Sequence, residues 1–328
     1  MIRSRTSTHL LAVALRAMRT RLGIAAVLSL AILAAAAAPA QAGDVTIMFG
    51  RGQLEQVDSQ CRPMANTVDL WTIANDLRRR GMAATVPVTA SQIGTTSHVC
   101  TGNALYPTWS DLASFRDDYG WSMIPRGRTN ASLKTVTDPA VLDANVCGSL
   151  QALYDHGHMR AWGMYAWPQN RWTSDQEQTY VPRCFAFGRR YAGADTSNPL
   201  PVTGPYYWAR TISVNGGRCA DTTLSCHTMT VRNDRSYMQP STLIRTGARS
   251  SSGYWTIFQW YRLVTGAHGK QGDKIAWSCS SSNPAEHWTS YAEIYCYNDY
   301  QKVIGSLDPT RVTDPAGVAL QLGIDKTP

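Results

Sequence analysis

From Val45 to about Arg190, short apolar runs alternate with amphipathic stretches of helical period. Val45–Phe49 is continuously apolar, the pattern of a strand buried on both faces. Across 63–80, Met64, Val68, Trp71, Ala74 and Leu77 share one helical face and Gly81 follows, so a helix is predicted there. Ala84–Val88 reads as the next strand. Thr108, with Asp111 three residues on, marks the start of a helix that ends at Tyr119-Gly120. Trp121–Pro125 is a third strand. Asp138-Pro139 opens a further helix with Leu142, Val146, Leu150 and Leu153 inward, and Arg160–Trp167 is a fourth strand.

Strand, helix, strand, helix implies parallel strands with right-handed crossovers, hence an α/β barrel or an open α/β sheet. The second half is less regular. Cys184–Tyr191 and Tyr206–Val214 read as strands, 216–226 as a disulfide-closed loop and 240–247 as a short helix. Trp255–Val264 reads as a long strand and Trp288–Ile304 as a closing helix.

Ahead of this pattern, residues 1–21 carry five arginines and no acid. An apolar run from Leu22 to Ala38 follows, and Ala40-Gln41-Ala42 then precedes Gly43. That order is a secretory signal peptide over 1–42, leaving 43–328 as a single exported domain. A retained anchor is the competing reading, disfavoured by the cleavage box. No later segment approaches the ~20 apolar residues of a membrane helix, so no membrane partner is expected after cleavage. The signal also takes five of the 31 basic residues, so the net charge of +8 shrinks to a slight excess over the 23 acids. Without a Lys/Arg cluster, nucleic acid is an unpromising partner.

All eight cysteines (Cys61, Cys100, Cys147, Cys184, Cys219, Cys226, Cys279 and Cys296) follow the signal. An even number in an exported chain argues for disulfides, and none shows the C-x-x-C spacing of a zinc site. Chain order suggests Cys61–Cys100, Cys147–Cys184, Cys219–Cys226 and Cys279–Cys296 among the many possible pairings.

Two segments give the fold a closer likeness. Met48-Phe49-Gly50-Arg51-Gly52 closes the first strand, and Pro125-Arg126-Gly127-Arg128-Thr129-Asn130 closes the third. Together they resemble the first two motifs of the polysaccharide deacetylase (NodB-type) family. There the first strand ends Thr-Phe-Asp-Asp-Gly, and the later one ends Ser-His-Thr with a second His four residues after the first. Ala166-Trp167-Pro168 and Gln259-Trp260-Tyr261 fall where the family has its aromatic/Pro strand end and a late His. The resemblance runs from about Val45 to Leu307, most clearly to Asn170. It implies a distorted (β/α) barrel of about seven strands with its groove at the strand C-terminal ends.

It also implies a metal-dependent esterase, which these residues contradict. Gly50 and Arg51 stand at the two Asp positions, Arg126 and Asn130 at the two His positions. Guanidinium groups repel a cation, and one amide oxygen cannot hold zinc. No metal and no cofactor is therefore expected. Arg51 and Arg126, with Arg128 beside them, suit an anion such as a uronic acid instead. The plainer alternative is that they pair with acids such as Glu55 or Asp58.

The leading expectation is a secreted protein that binds acidic polysaccharide through Arg51, Arg126 and Asn130, with Trp167, Asn170 and Trp172 as rim. Eleven tryptophans and fifteen tyrosines could supply sugar-stacking faces as well as core. The first alternative is a metal-independent glycoside hydrolase or lyase, which needs two carboxylates across a groove. Glu55 and Asp58 after the first strand, and Asp175 and Glu177 in a loop after the fourth, are the candidates. The second alternative is a disulfide-braced protein-interaction module, which an apolar patch away from the mouth would favour.

Among the histidines, His156 suits a last helical turn, Gly157 its cap, and His158 the start of the next strand. His268 and His287 read as loop histidines. No nucleophile elbow, P-loop or dinucleotide fingerprint occurs.

Overall fold

A computed structural model describes residues 43–50, 66–95, 106–192, 197–200, 208–214, 238–268, 277–279, 288–289 and 294–328. The signal segment and residues 51–65, with Arg51, Glu55 and Asp58, lie outside the described residues, as do Cys61, Cys100, Cys219, Cys226 and His287.

β1 (Val45–Phe49) is buried along its whole length, as its unbroken apolar run requires. α1 (Leu70–Arg79) follows, and its N-cap Asp69 accepts from the Thr72 amide at 2.7 Å. β2 (Thr85–Val88) leads to α2 (Trp109–Tyr119). The predicted capping box is present, with Thr108 and Asp111 each satisfying the other's amide, and Gly120 closes the helix at φ 70°. β3 (Ser122–Pro125) precedes α3 (Pro139–Tyr154), capped by Asp138, with Leu142, Val146, Leu150 and Leu153 buried. β4 (Met164–Tyr165), α4 (Ser174–Cys184) and β5 (Phe187–Ala192) complete the regular half.

Next come β6 (Asn198–Pro199), β7 (Trp208–Ser213), α5 (Pro240–Ala248) and β8 (Tyr254–Trp260). β9 (Arg262–Val264), β10 (Ala267–His268), β11 (Trp277–Ser278), β12 (Trp288–Thr289) and β13 (Ile294–Cys296) are short. α6 (Tyr297–Gly305) and α7 (Pro315–Gln321) end the chain.

The main sheet runs β3-β2-β1-β8-β7-β5-β4, with every neighbouring pair along that path parallel. β1 and β8 pair at its centre from Val45↔Thr256 to Phe49↔Trp260, a register as long as that of β5 with β7. The sheet curls until its two end strands meet, where the Ala166 amide donates to the Pro125 carbonyl at 2.9 Å. The result is a distorted (β/α) barrel of seven strands, with β6 lying antiparallel on β8.

Period 2 divides each strand between layers. Phe49 faces the helices, stacked on Trp121 at 5.7 Å and edge-on to Tyr300 of α6 at 6.0 Å. Its neighbour Met48 is level with Gln259. Trp121, Trp162, Trp167, Trp255 and Trp260 are fully buried, so much of the tryptophan content is core.

Several boundaries differ from the sequence expectation. Helix α1 begins at Leu70 because Thr67 pairs with Val264 and Asp69 then caps. The fourth strand shrinks to two residues. Ala161–Gly163 forms a 3-10 turn, and Gly163 packs on the backbone at Ala316 of α7, where a Cβ would lie 2.3 Å from the Ala316 nitrogen. The long strand predicted from Trp255 breaks at Tyr261, and β9 turns away to pair with β13. The predicted closing helix starts only at Tyr297, since β12 and β13 occupy its first half. His268 belongs to the short strand β10 rather than a loop.

Disulfides Cys147–Cys184 and Cys279–Cys296 are formed as chain order suggested, and the described residues contain no free cysteine. Cys147–Cys184 ties α3 to the end of α4 across a sequence separation of 37. Closing a loop of that length is worth about 3–4 kcal/mol in the chain-entropy picture. The Cys147→Ser/Cys184→Ser pair is therefore expected to lose about that much in denaturant unfolding. A loss below ~1 kcal/mol would show that the bridge adds nothing to the α3–α4 packing.

Candidate polar site at the barrel mouth

The C-terminal ends of parallel strands are where a barrel builds its sites. At the end of β3 the backbone stays in the sheet direction, with the Arg126 amide donating to Val88 O at 2.7 Å. Gly127 then takes φ 84°, and a Cβ there would lie 2.6 Å from Pro168 Cγ, so only glycine fits. Next, Thr129 donates through its amide and hydroxyl to Asn145 Oδ1 of α3, at 3.2 and 3.0 Å. The segment that carries Arg126 and Asn130 is thus pinned between β2 and α3. Both side chains are half-buried. Asn130 Oδ1 is enclosed without a hydrogen-bond partner, and so is the nearby hydroxyl of Tyr165.

The turn after β4 faces this segment. Gln169 and Asn170 both hold left-handed conformations, φ 51° and 54°, and the Gln169 amide donates to Asn130 O at 2.7 Å. Consecutive non-glycine residues at positive φ are costly and persist only where the surroundings fix them. Here the fixing group is Arg189 of β5. Its Nη2 donates to Asn170 Oδ1 at 2.5 Å, and its Nη1 donates to Gln259 Oε1 of β8 at 2.7 Å. Arg189 is 3 % exposed and Gln259 is fully buried. A continuous polar chain thus runs from Asn130 through residues 169 and 170 to Arg189 and Gln259.

Gly50 completes the floor. A Cβ on Gly50 would lie 2.5 Å from Gln259 Nε2 and 2.5 Å from the Tyr261 ring. The space where the resemblance would put a carboxylate is filled by an amide and an aromatic ring. Among the described residues, no three His, Cys, Asp or Glu side chains group as metal ligands would.

The structure brings Arg126, Asn130 and Asn170 together and relocates the remaining candidates. Trp167 is fully buried, T-shaped to Tyr165 at 4.9 Å, so it belongs to the core and not to the rim. Trp172 is half-buried and stacks on Trp167 at 5.9 Å. Asp175 and Glu177 sit in the first turn of α4, not in a loop. A capping box of Thr173 with Gln176 starts that helix, and acids in its first turn favour the helix dipole. Asp175 is exposed there.

Glu177 is fully buried behind β5, so close to Gly188 that a Cβ on that glycine would collide with Oε1. Burial pushes its carboxyl up to about 8, against the pull of the Trp172 and Trp167 indoles and of Arg190. Neither oxygen makes a well-formed hydrogen bond. A carboxyl so enclosed cannot face water across a groove.

Arg189 was not among the sequence candidates, although a signal was present. Phe187 and Arg189 share one face of a strand by period 2, so the pattern places a cation on a core face.

Neither a protein-family profile nor a curated protein matches the sequence. Solved structures to which parts of the chain are similar include polysaccharide deacetylases. One from Bacillus cereus is 12 % identical, with a TM-score of 0.37 over 51 % of this chain and 46 % of that one. The Streptococcus pyogenes deacetylase PplD, solved in complex with acetate, is 14 % identical, with a TM-score of 0.37 over 51 % and 62 %. A CE4 family pseudoenzyme from Bacillus anthracis is 8 % identical, with a TM-score of 0.35 over 67 % and 56 %. The chain thus spans about half to two thirds of the length of these proteins.

Proposed function

We propose that this protein is exported and binds an acidic polysaccharide at the mouth of its barrel, without metal-dependent deacetylation. The observation that carries the reading is the buried Arg189, held by Gln259 and Asn170 at the strand C-terminal ends. A guanidinium fixed in this way offers a preorganised cationic floor, and the half-buried Arg126 adds a second cation on the neighbouring wall. The half-buried Asn130 adds a polar side chain to the same wall, while its Oδ1 and the Tyr165 hydroxyl stay enclosed. The half-buried Trp172 is the remaining aromatic candidate for stacking on a pyranose ring.

The geometry gives the glycosidase alternative little support, because Glu177 is enclosed behind β5 and Asp175 lies on the outer helix layer. Among the described residues, no helix is long and apolar enough to cross a membrane, and two disulfides are formed. Both features suit an extracellular location, and export through the signal segment is part of the same proposal.

The test is calorimetry with oligogalacturonate. A charged hydrogen bond contributes roughly 1.5–3 kcal/mol, so Arg126→Ala is expected to weaken binding about tenfold or more. Its melting temperature should stay close to that of the native chain, since the side chain holds little core. An Arg126→Ala variant that binds normally but unfolds easily would return this arginine to a purely structural role.

A further inference from the structure

Arg189 fixes the direction of the two amides beside it as well as their position. Its Nη2 donates to Asn170 Oδ1 at 2.5 Å and its Nη1 to Gln259 Oε1 at 2.7 Å. A guanidinium can only donate, so the amide atom facing it must be the oxygen in both cases. Each NH2 group is therefore turned away from the arginine. That of Gln259 lies against Gly50, where a Cβ would come within 2.5 Å of it. That of Asn170 is open to solvent. The residue is exposed, and the nitrogen is neither enclosed nor hydrogen-bonded among the described residues.

The backbone holds the same presentation. Gln169 and Asn170 keep φ at 51° and 54°, a conformation that asparagine tolerates and glutamine does not favour. Strain of this kind persists where the surroundings fix it, and it gathers at ligand sites. The turn is joined to the segment after β3 twice, by the Gln169 bond to Asn130 O at 2.7 Å and by Pro168 packed against Gly127. Arg128 and Arg171, each two residues from that bond, are exposed. Among the described residues neither forms an ion pair, and neither 125–137 nor 166–174 contains an acid.

We propose that Asn170 is the specificity-determining contact of the mouth, donating from its NH2 group to a carboxylate of the ligand, with Arg189 as the positioning residue behind it. The inference rests on the reading of the mouth as an acidic-glycan site. A freely turning asparagine presents an acceptor or a donor with equal ease and selects neither. Here the oxygen is taken by Arg189, so only donors face outward. Linked hydrogen bonds polarise one another, so the guanidinium makes that NH2 group a better donor to an anion. Arg189, 3 % exposed, acts on the ligand through Asn170 and does not touch it. A uronic acid offers the matching group, a charged acceptor, whereas its methyl ester offers only a neutral one.

Asn170→Asp separates this role from a structural one. Aspartate keeps the size and the bond to Arg189, which becomes charge-assisted, but replaces the donors with an acceptor. The melting temperature should hold or rise, while calorimetry with oligogalacturonate should show affinity lower by about tenfold or more. For methyl-esterified oligogalacturonate the change should be several-fold smaller. Repulsion at a distance could also weaken an anion, so the contact itself is read by NMR. In the native chain the side-chain NH2 signals of Asn170 should shift as oligogalacturonate is added. Arg189→Lys keeps the charge and loses the fork that holds both amides, so it should weaken oligogalacturonate several-fold and diminish that shift. If the native chain binds oligogalacturonate while the Asn170 signals stay still, or if Asn170→Asp binds it as tightly, this inference falls and the acidic-glycan reading stands. If the native chain binds no acidic glycan, both fall.

Discussion

Glu177→Gln is expected to stabilise the protein by a few kcal/mol at about pH 8 and by little at about pH 4.5. The native carboxyl is held protonated by burial, with its pKa raised to about 8, whereas in the unfolded chain it ionises near 4.3. Below the unfolded value both states carry the proton, and the residue makes no pH-dependent difference. Between the two values only the folded state binds the proton, so native stability falls as pH rises through that window. Glutamine keeps the shape and has no charge to bury, so it removes the dependence. The check is a set of denaturant midpoints for both proteins across the pH range. A constant difference between them would show that Glu177 is ionised in the native fold and that the Trp167 and Trp172 indoles hold it so.

Gly50→Asp should be the most damaging single change at the mouth. The new Cβ alone would intrude on Gln259 and Tyr261. Gln259 cannot move aside cheaply, because it is fully buried and accepts from Arg189. Overpacking of this kind costs about 1–3 kcal/mol, and a carboxylate forced into the same space adds the cost of its desolvation. Gly50→Ala isolates the first contribution and is expected to lose about 2 kcal/mol. Gly50→Asp should lose more and should also weaken any ligand that relies on Arg189. If the Asp variant proves as stable as the native chain, the floor is looser than these contacts imply.

The regular half of the fold was legible because local signals and tertiary packing agree there. Thr108 with Asp111, Asp138 ahead of Pro139, and Gly120 after Tyr119 all mark real helix ends. Legibility failed where long-range contacts override the local pattern. The Arg160–Trp167 run is apolar enough for a strand, yet α7 packs on Gly163 and leaves β4 only two residues. The run from Trp288 looks helical, but pairing of β13 with β9 and the bond to Cys279 draw its middle into the sheet region. Helix α4 stands where a loop is expected around Asp175 and Glu177, and the Thr173–Gln176 capping box is the local signal for it.

The site divides in the same way. The positions of Arg126, Asn130 and Asn170, just past the ends of β3 and β4, are legible from the strand pattern. Trp167 was misplaced because an aromatic residue after a strand reads equally as rim or as core, and only its contact with Tyr165 decides. Arg189 and Gln259 lie 70 positions apart in the chain, so no local pattern could pair them. Their bond is the feature that turns an arginine-bearing mouth into a fixed polar floor.

The most direct measurement is the affinity of the native protein for oligogalacturonate and for a neutral oligosaccharide of equal length, at low and high salt. Acidic glycan should bind more tightly, and the margin should narrow as salt screens the half-buried Arg126 charge. Equal affinity for both sugars, unmoved by salt, would contradict an acidic-glycan site at this mouth.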